Sequence, residues 1–483
     1  FNRRDGAWWL ALLLAVASLV MSLAKGLAYS EAGYLAILIC LLLATRRQFN
    51  QPASMLGQAF TFGWFAAVAS IIAASVWLLM FAFQDVNFSS RDLWWQFELD
   101  AQAPRALRAM LGVSVLGLGI ALWELLQPPT GYAEMPDATE LARAATVIRT
   151  QVRSDAHLAL MGDKSILFSA TGQSFLMFGK RGRSWIALFD PVGSQAEWPE
   201  LIGRLVELAH AHGGRAAFYQ VRPQSLPFYL DAGLTVMKLG EEAVVPLESF
   251  DLQGSRWAHL RYALKRGDRD GLVFELLDGE AVAAAMDDLA VVSSAWLALR
   301  RRRGGARERG FSVAAFEPRF VASQQVGVVR SAGAIIAFAT VMHTGVGREA
   351  TVGLMRHVER ASPYAMEFLF VHLVRAFRAL GYASFSLGMA PLAGVERGPL
   401  SSRWHGLGAM IWRHGNPIYN FQGLRVFKGK FNPAWEPRYL AASGSLGPFV
   451  ALLDVAALVA ARYRGPRANA ARVAPPTAQE KPC

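Results

Sequence analysis

ILFSATGQSFLMFGKRGRSWIALF, Ile166 to Phe189, holds three short apolar runs separated by two breaks. The runs are ILFSA (166–170), FLMFG (175–179) and WIALF (185–189); the breaks are Thr171-Gly172 and Lys180–Arg183. Runs of this length, rich in aromatic and aliphatic residues and bounded by turn formers, predict an antiparallel β meander. Upstream, residues 137–151 read as a helix with Asp137 as its N-cap. Downstream, a helix is expected over about 196–212, with Leu201, Leu205 and Leu208 on one side and Gly213-Gly214 at its end. Strand AAFYQV (216–221), a short helix and strand TVMKLG (235–240) follow.

The same grammar returns from Gly254. A helix at 255–266 leads to strand LVFELL (272–277), a long helix at 280–302, and strands near 326–330, 334–342 and 349–355. A helix from Pro363 to Leu380 and strand ASFSL (383–387) complete the second round. Two tandem units of helix, meander, helix and strand predict an α+β duplication, and the layout resembles paired acyltransferase folds of the GNAT type. The expected units are 127–253 and 254–441, with a terminal helix and disordered tail over 442–483.

Four apolar runs precede these units: Trp8–Ala24, Ala32–Ala44, Phe60–Phe83 and Ala106–Leu126. A hydrocarbon core takes ~20 apolar residues per helix, so about four membrane spans are expected within 1–126. Gln127-Pro-Pro-Thr-Gly131 ends the last of them, because tandem prolines cannot continue a helix. Arg3, Arg4, Arg46 and Arg47 flank the ends that the positive-inside rule puts in the cytoplasm. Both ends of the segment, and the domain after it, are therefore expected to be cytoplasmic. Cys40 and Cys483 offer no disulfide framework. The chain begins at Phe1 rather than Met, so a longer polytopic protein is expected.

Residues 1–126 hold 8 Lys+Arg against 7 Asp+Glu, so residues 127–483 carry +11 of the net +12. Acidic headgroups and nucleic acid are the anionic partners such a tethered domain could meet. No HExxH, CxxC, Walker or GxSxG pattern occurs, so no metal site is expected. A CoA-binding loop needs a glycine cradle opening a helix. RRRGGA (301–306) and RALGYA (378–383) instead follow helices, and RHVERASPYAM (356–366) holds no glycine. A donor other than CoA is expected, and no cofactor. Arg300–Gly310 carries six arginines and one acid, and Arg301, Arg302 and Arg303 are read as contacts to RNA phosphates. Arg261 and Lys265, one helical turn apart, form a second basic cluster that a solvated helix face explains equally well.

Five strings stand in the order and spacing of a known family: LALMGDKSILFS (158–169), FYQVRPQSLPFYLDAGL (218–234), FSLGMAPLAG (385–394), YNFQGLRVFKGKF (419–431) and WEPRYLA (435–441). Residues 137–441 resemble the C-terminal synthase domain of the bacterial multiple peptide resistance factor family, the aminoacyl-phosphatidylglycerol synthases. The resemblance implies transfer of lysine or alanine from aminoacyl-tRNA to a glycerol hydroxyl of phosphatidylglycerol in the inner leaflet. The product lowers the membrane's negative charge and gives resistance to cationic antimicrobial peptides. It implies a multi-pass protein of the bacterial plasma membrane and flippase helices preceding this chain; a homo-oligomer is a further expectation.

Within the last two strings, Pro433 and Pro437 forbid one continuous helix, so a helix over about 421–430 and a strand from Pro437 are expected. Phe421, Leu424, Phe427 and Phe431 form a core stripe, while Arg425 and Lys428 face away from it toward a phosphate or ester oxyanion. Lys430 lies roughly 200° around the helix from Lys428 and serves another place. The expected catalytic residues are Arg356 and Lys428, with Arg438 and Glu436 either catalytic or a structural ion pair. Tyr419, Arg425 and Lys430 are expected to bind substrate, beside Arg301, Arg302, Arg303, Lys265 and Arg261. The family's pattern carries an Asp before Leu-Met-Arg where Gly353 stands here. Glu349 or Glu367 could supply a base instead, and an Asp restored at 353 is expected to raise turnover if a base is missing. A lipid-binding module with a decayed site, and a CoA-dependent acyltransferase, are the rival readings.

Overall fold

The computed structural model describes residues 131–302, 307–391, 393–394, 421–444 and 447–463, together with positions 37, 39 and 43. Apart from those three positions the expected membrane spans, with Arg303, Tyr419 and most of the tail, fall outside those residues. Among the described residues no helix is long and apolar enough to cross a membrane.

The quoted meander forms β1 (Ser165–Phe168), β2 (Phe175–Arg181) and β3 (Ser184–Leu188), paired antiparallel in sequence order. Helix α1 (Ala138–Arg149) precedes it behind a reciprocal cap, in which Asp137 accepts from the Glu140 N–H and Glu140 from the Asp137 N–H. Helix α2 (Trp198–Ala211) buries Leu201, Ile202, Leu205 and Ala209 and delivers the chain to β4 (Arg215–Val221), which lies parallel to β3. A short helix α3 (Leu226–Asp231) leads to β5 (Thr235–Pro246).

The second round runs through α4 (Ala258–Arg269), β6 (Leu272–Leu277), α5 (Gly279–Ala284), α6 (Met286–Arg302), α7 (Pro318–Ala322), β7 (Gln325–Ser331), β8 (Ala334–Met342) and β9 (Glu349–His357). Helix α8 (Ala365–Ala379) then crosses to β10 (Ser384–Pro391), parallel to β9. Its buried residues include Phe368, Leu369, Phe370, Leu373, Val374 and Phe377. At ~1.5–3 kcal/mol for each large apolar side chain buried, this helix is a principal support of the second half. The chain ends through α9 (Phe421–Gly429), β11 (Ala434–Ala442) and α10 (Gly447–Ala460).

All eleven strands join one sheet in the order β1-β2-β3-β4-β11-β5-β10-β9-β8-β7-β6. The α+β class is therefore observed, and one sheet runs through both rounds, with β11 seated between β4 and β5. Three elements differ from expectation. The helix over 280–302 is two helices, α5 and α6, parted at Ala285. Strand β5 does not stop at Gly240 but continues through Glu241 and Glu242 to Pro246, because β11 and β10 flank those residues. Strand β11 begins at Ala434 rather than Pro437. Pro437 is tolerated because it opposes Glu241 of β5, while pairing with β4 starts only at Tyr439, so no strand needs its missing N–H.

Candidate active site

Strands β9 and β10 stay in parallel register for only three pairs, Ser384 to Ser386 against Glu349 to Thr351. Beyond them β10 shifts register on β5 between Ser386 and Met389, and Gly388 takes φ +80°. That left-handed residue is where a bulge needs glycine. The bulge presents two main-chain carbonyls to Lys428, whose Nζ donates to Gly388 O at 2.9 Å and Met389 O at 3.0 Å. Lys428 is 4% exposed. Burial drags its pKa down to about 7, with Glu242 pulling the other way.

Glu242 of β5 is the buried anion of this place. One of its carboxylate oxygens accepts from Ser386 Oγ and the other from Arg438 Nη2 of β11. Ser386 Oγ in turn accepts from the Gly388 N–H at 3.0 Å, so serine, bulge and carboxylate are tied together. Arg438 is 1% exposed and also reaches Glu436 at 3.2 Å. The Arg438–Glu242 pair is desolvated, and loss of either partner would strand a buried charge.

A second ionic group follows β4. Arg222 Nη2 donates to both oxygens of Glu349, at 3.1 and 3.2 Å, and lies 3.6 Å from Asp155. Arg153 makes a two-point contact with Asp155 at 3.1 and 3.2 Å. Asp190 accepts from the Tyr229 hydroxyl at 3.0 Å and the Arg222 N–H at 3.2 Å. Burial pushes the Asp155 carboxyl up, but Arg153 and Arg222 outweigh it and hold it below the ordinary value. Burial wins at Glu349 and Asp190, whose pKa values are raised despite their arginines. Glu242 acts electrostatically on Arg222 and Glu349, and Arg438 on Asp155, so the two groups share one field.

The other residues singled out in the sequence are placed as follows. Arg356 is 3% exposed; its Nη2 donates to Glu308 at 2.8 Å and its guanidinium lies 3.8 Å from the Trp296 ring centroid. Its contacts are with α6 and the segment after it, whereas those of Lys428 are with β10. Arg425 sits 3.5 Å from Glu241 and 5.0 Å from the Trp435 ring. Lys430 pairs with Glu367 at 2.7 Å. Arg261 Nη1 donates to the carbonyls of Leu252 and Gly254 at 2.7 and 2.6 Å, fastening the turn before α4, while Lys265 is exposed. Arg301 is exposed near the end of α6, which closes at Arg302. Glu436 keeps 41% of its side chain exposed. Among the described residues no three His, Cys, Asp or Glu side chains are placed to hold a metal ion.

Gly353 has a steric role of its own. A Cβ there would approach Thr340 Oγ1 at 2.8 Å and Gln324 Oε1 at 3.0 Å. The space an aspartate would enter is filled.

Sequence reading missed Glu242, Ser386, Arg222, Asp155, Arg153 and Asp190. Strand β5 was ended just before its Glu-Glu pair; the available signal was the apolar run AVVP resuming after it. Arg222 stands directly after strand β4 and Asp190 two residues past β3, at the ends of the strands.

Residues 144–442 match the family model described as the C-terminal domain of phosphatidylglycerol lysyltransferase. A phosphatidylglycerol lysyltransferase of Bacillus subtilis is 29% identical over 452 residues, covering 91% of this chain and 51% of that protein. One from Staphylococcus aureus is 32% identical over 285 residues, covering 59% of this chain and 33% of that protein. The chain thus spans about half or less of these relatives' length. Among solved structures, the C-terminal domain of an Agrobacterium fabrum protein described as a lysylphosphatidylglycerol synthetase is 45% identical. It covers 68% of this chain and 99% of its own, with a TM-score of 0.61. L-PGS from Bacillus licheniformis is 30% identical, covers 69% of this chain and 100% of its own, and has a TM-score of 0.59.

Proposed function

The chain belongs to the family of the phosphatidylglycerol lysyltransferase C-terminal domain, and from that premise we propose that it moves an amino acid from aminoacyl-tRNA to phosphatidylglycerol. The relatives' names favour lysine; alanine is the alternative cargo. In this transesterification a glycerol hydroxyl oxygen bonds to the ester carbonyl carbon, and the bond from that carbon to the tRNA ribose oxygen breaks. One proton travels from the glycerol hydroxyl to the departing ribose.

Lys428, held by two bulge carbonyls, is the observation that carries this reading. A neutral amine has two N–H donors and one lone pair. The carbonyls of Gly388 and Met389 engage the donors, leaving the lone pair to accept the glycerol proton. The resulting ammonium has a third N–H to stabilise the tetrahedral oxyanion and then return the proton to the ribose. A pKa of about 7 suits both halves of that cycle. Glu242 and Arg438 fix the field around the amine.

The paired GNAT-type description of the fold rests on the two parallel crossovers, β3–α2–β4 and β9–α8–β10. The acceptor lies in the inner leaflet of a bacterial plasma membrane, which the apolar first quarter of the sequence reaches as multiple spans. Adding lysine turns an anionic headgroup cationic and weakens attraction of cationic peptides. Flippase helices of the same polypeptide and a second copy of the chain are the remaining proposed partners. The test incubates membranes carrying the full chain with phosphatidylglycerol vesicles and radiolabelled lysyl-tRNA. A labelled, ninhydrin-positive phospholipid is expected, abolished by prior RNase digestion and indifferent to added CoA. Lipid labelling that survives complete tRNA digestion overturns the donor.

A further inference from the structure

Lys428, in the last turn of α9, and Lys430, just past its end, bond to different elements, and Lys430 opens on a cavity of about 520 Å³. Its walls are His259, Tyr262 and Ala263 of α4, Tyr364 and Glu367 at the start of α8, and Lys430. The volume lies in the range of small-ligand pockets. The walls are held in place: Gly267 of α4 sits where a Cβ would come 2.3 Å from the Phe368 ring, so the two helices touch closely. Asp270 accepts from Ser362 Oγ at 2.8 Å and pairs with Arg266 at 3.0 Å, anchoring the turn that carries Tyr364. His259 Nε2 lies 3.1 Å from the Lys430 carbonyl and closes the third side.

The chemistry of the walls is specific. Tyr262 meets Tyr364 in a T-shaped contact at 5.5 Å and is 54% exposed, so much of its ring is open to a flat guest. Lys430 Nζ and Glu367 Oε1, 2.7 Å apart, present a donor beside an acceptor. That pair matches an edge bearing an exocyclic amine next to a ring nitrogen, as in adenine and cytosine. The exposed face of α4 adds Lys265 and Arg269, with Arg256 just ahead of it, along which a phosphate backbone can run.

We propose that this cavity holds one unpaired nucleobase of a single-stranded RNA end, stacked on Tyr262 and read by Lys430 and Glu367. The assignment rests on the RNA-donor reading above and gives it a docking point lined by Lys430, two residues from Lys428. Stacking platforms flanked by cations are the general solution for unpaired nucleic acid.

The test uses the full chain in detergent and two fluorescein-labelled RNA hairpins, one ending in unpaired CCA and one blunt. Tyr262→Ala should weaken the CCA hairpin about 5- to 100-fold, leave the blunt hairpin unchanged, and keep the unfolding midpoint. Tyr262→Phe, which retains the ring, should stay within about twofold of the wild type. Equal CCA affinity in Tyr262→Ala and wild type overturns the proposal while leaving the donor reading intact. So does an equal loss for both hairpins, or a loss confined to flotation with anionic phosphatidylglycerol vesicles. Wild-type protein that binds neither hairpin overturns the donor reading and this one with it.

Discussion

The two parallel crossovers share a topology and differ in how they end. In the first, β3 and β4 keep register over five pairs, Ser184–Leu188 against Arg215–Tyr219, and Phe189 N–H still reaches Tyr219 O at 2.8 Å. Asp190 then closes the strand end, accepting from the Tyr229 hydroxyl and the Arg222 main-chain N–H and pairing with Arg153. In the second, pairing lapses after three residues and the bulge turns its carbonyls to a lysine from another helix. The polar groups at the end of the first crossover are all engaged, around Asp190 and, through Arg222, with Glu349 of β9. The second leaves an amine with one valence unused, and reactivity is expected there.

The largest expected effect comes from the ion pair at the seam. Arg438→Met leaves Glu242 buried without its cation and should cost ~3–5 kcal/mol of stability, read from denaturant unfolding. Glu242→Leu combined with Arg438→Met should recover most of that loss, since replacing both charges removes the desolvation problem. A double variant as unstable as the single one would show that the pair's surroundings, not its charge balance, hold β5 to β11.

Lys428 tests the chemical side of the comparison. Lys428→Ala should lower turnover by ~10²–10³ while the protein stays folded, the usual cost of losing an acid–base or oxyanion group. Wild-type turnover should rise with pH through about 7 as the amine becomes neutral, and the variant should lose that limb. The sign for stability follows the same shift. The folded pKa lies below the ordinary 10.5, so between about 7 and 10.5 the unfolded chain binds more protons and stability climbs with pH. Lys428→Met should flatten that climb. A rate that falls through pH 7 would return Lys428 to a purely cationic role.

Much of this was legible because it is local. The meander of 166–189, both crossover helices and the capped helix at 138–149 follow from runs, breaks and caps within a few residues of one another. The seating of β11 between β4 and β5 was not, because Tyr439 meets Val221 across more than two hundred residues without a local signal. Lys428 stands out in the sequence by its opposition to the aromatic stripe on α9, whereas Glu242 does not, because a charged pair after an apolar run reads as the end of a strand. The run Arg300–Gly310 reads as six arginines against one acid, with Arg301, Arg302 and Arg303 as phosphate contacts. Its one acid, Glu308, is the partner of Arg356. A one-dimensional reading counts charges and cannot tell which of them a distant strand has already neutralised.

Gly353→Asp gives a smaller, structural effect. The added side chain enters space held by Thr340 and Gln324, so a loss of ~1–3 kcal/mol is expected, as for overpacking generally. Turnover corrected for folded fraction should not rise. A gain in that corrected rate would mean that β9 can move aside and that a carboxylate there is useful after all.

Glu436→Ala closes the comparison, because Glu436 and Glu242 bind the same guanidinium from different environments. Glu242 is buried against Arg438, whereas Glu436 keeps 41% of its side chain in water at 3.2 Å from the same nitrogen. Solvent screens the exposed pair, and such contacts contribute ~0–1 kcal/mol. Removing Glu436 leaves Arg438 fully paired with Glu242, so no buried charge is orphaned. Stability should therefore fall by under ~1 kcal/mol, and the Lys428 pH limb should keep its position. Thermal unfolding and a pH–rate profile of the one variant decide both points. If Glu436→Ala instead shifts the limb, the exposed carboxylate acts on the amine through Arg438, and the seam reaches further toward solvent than its burial suggests.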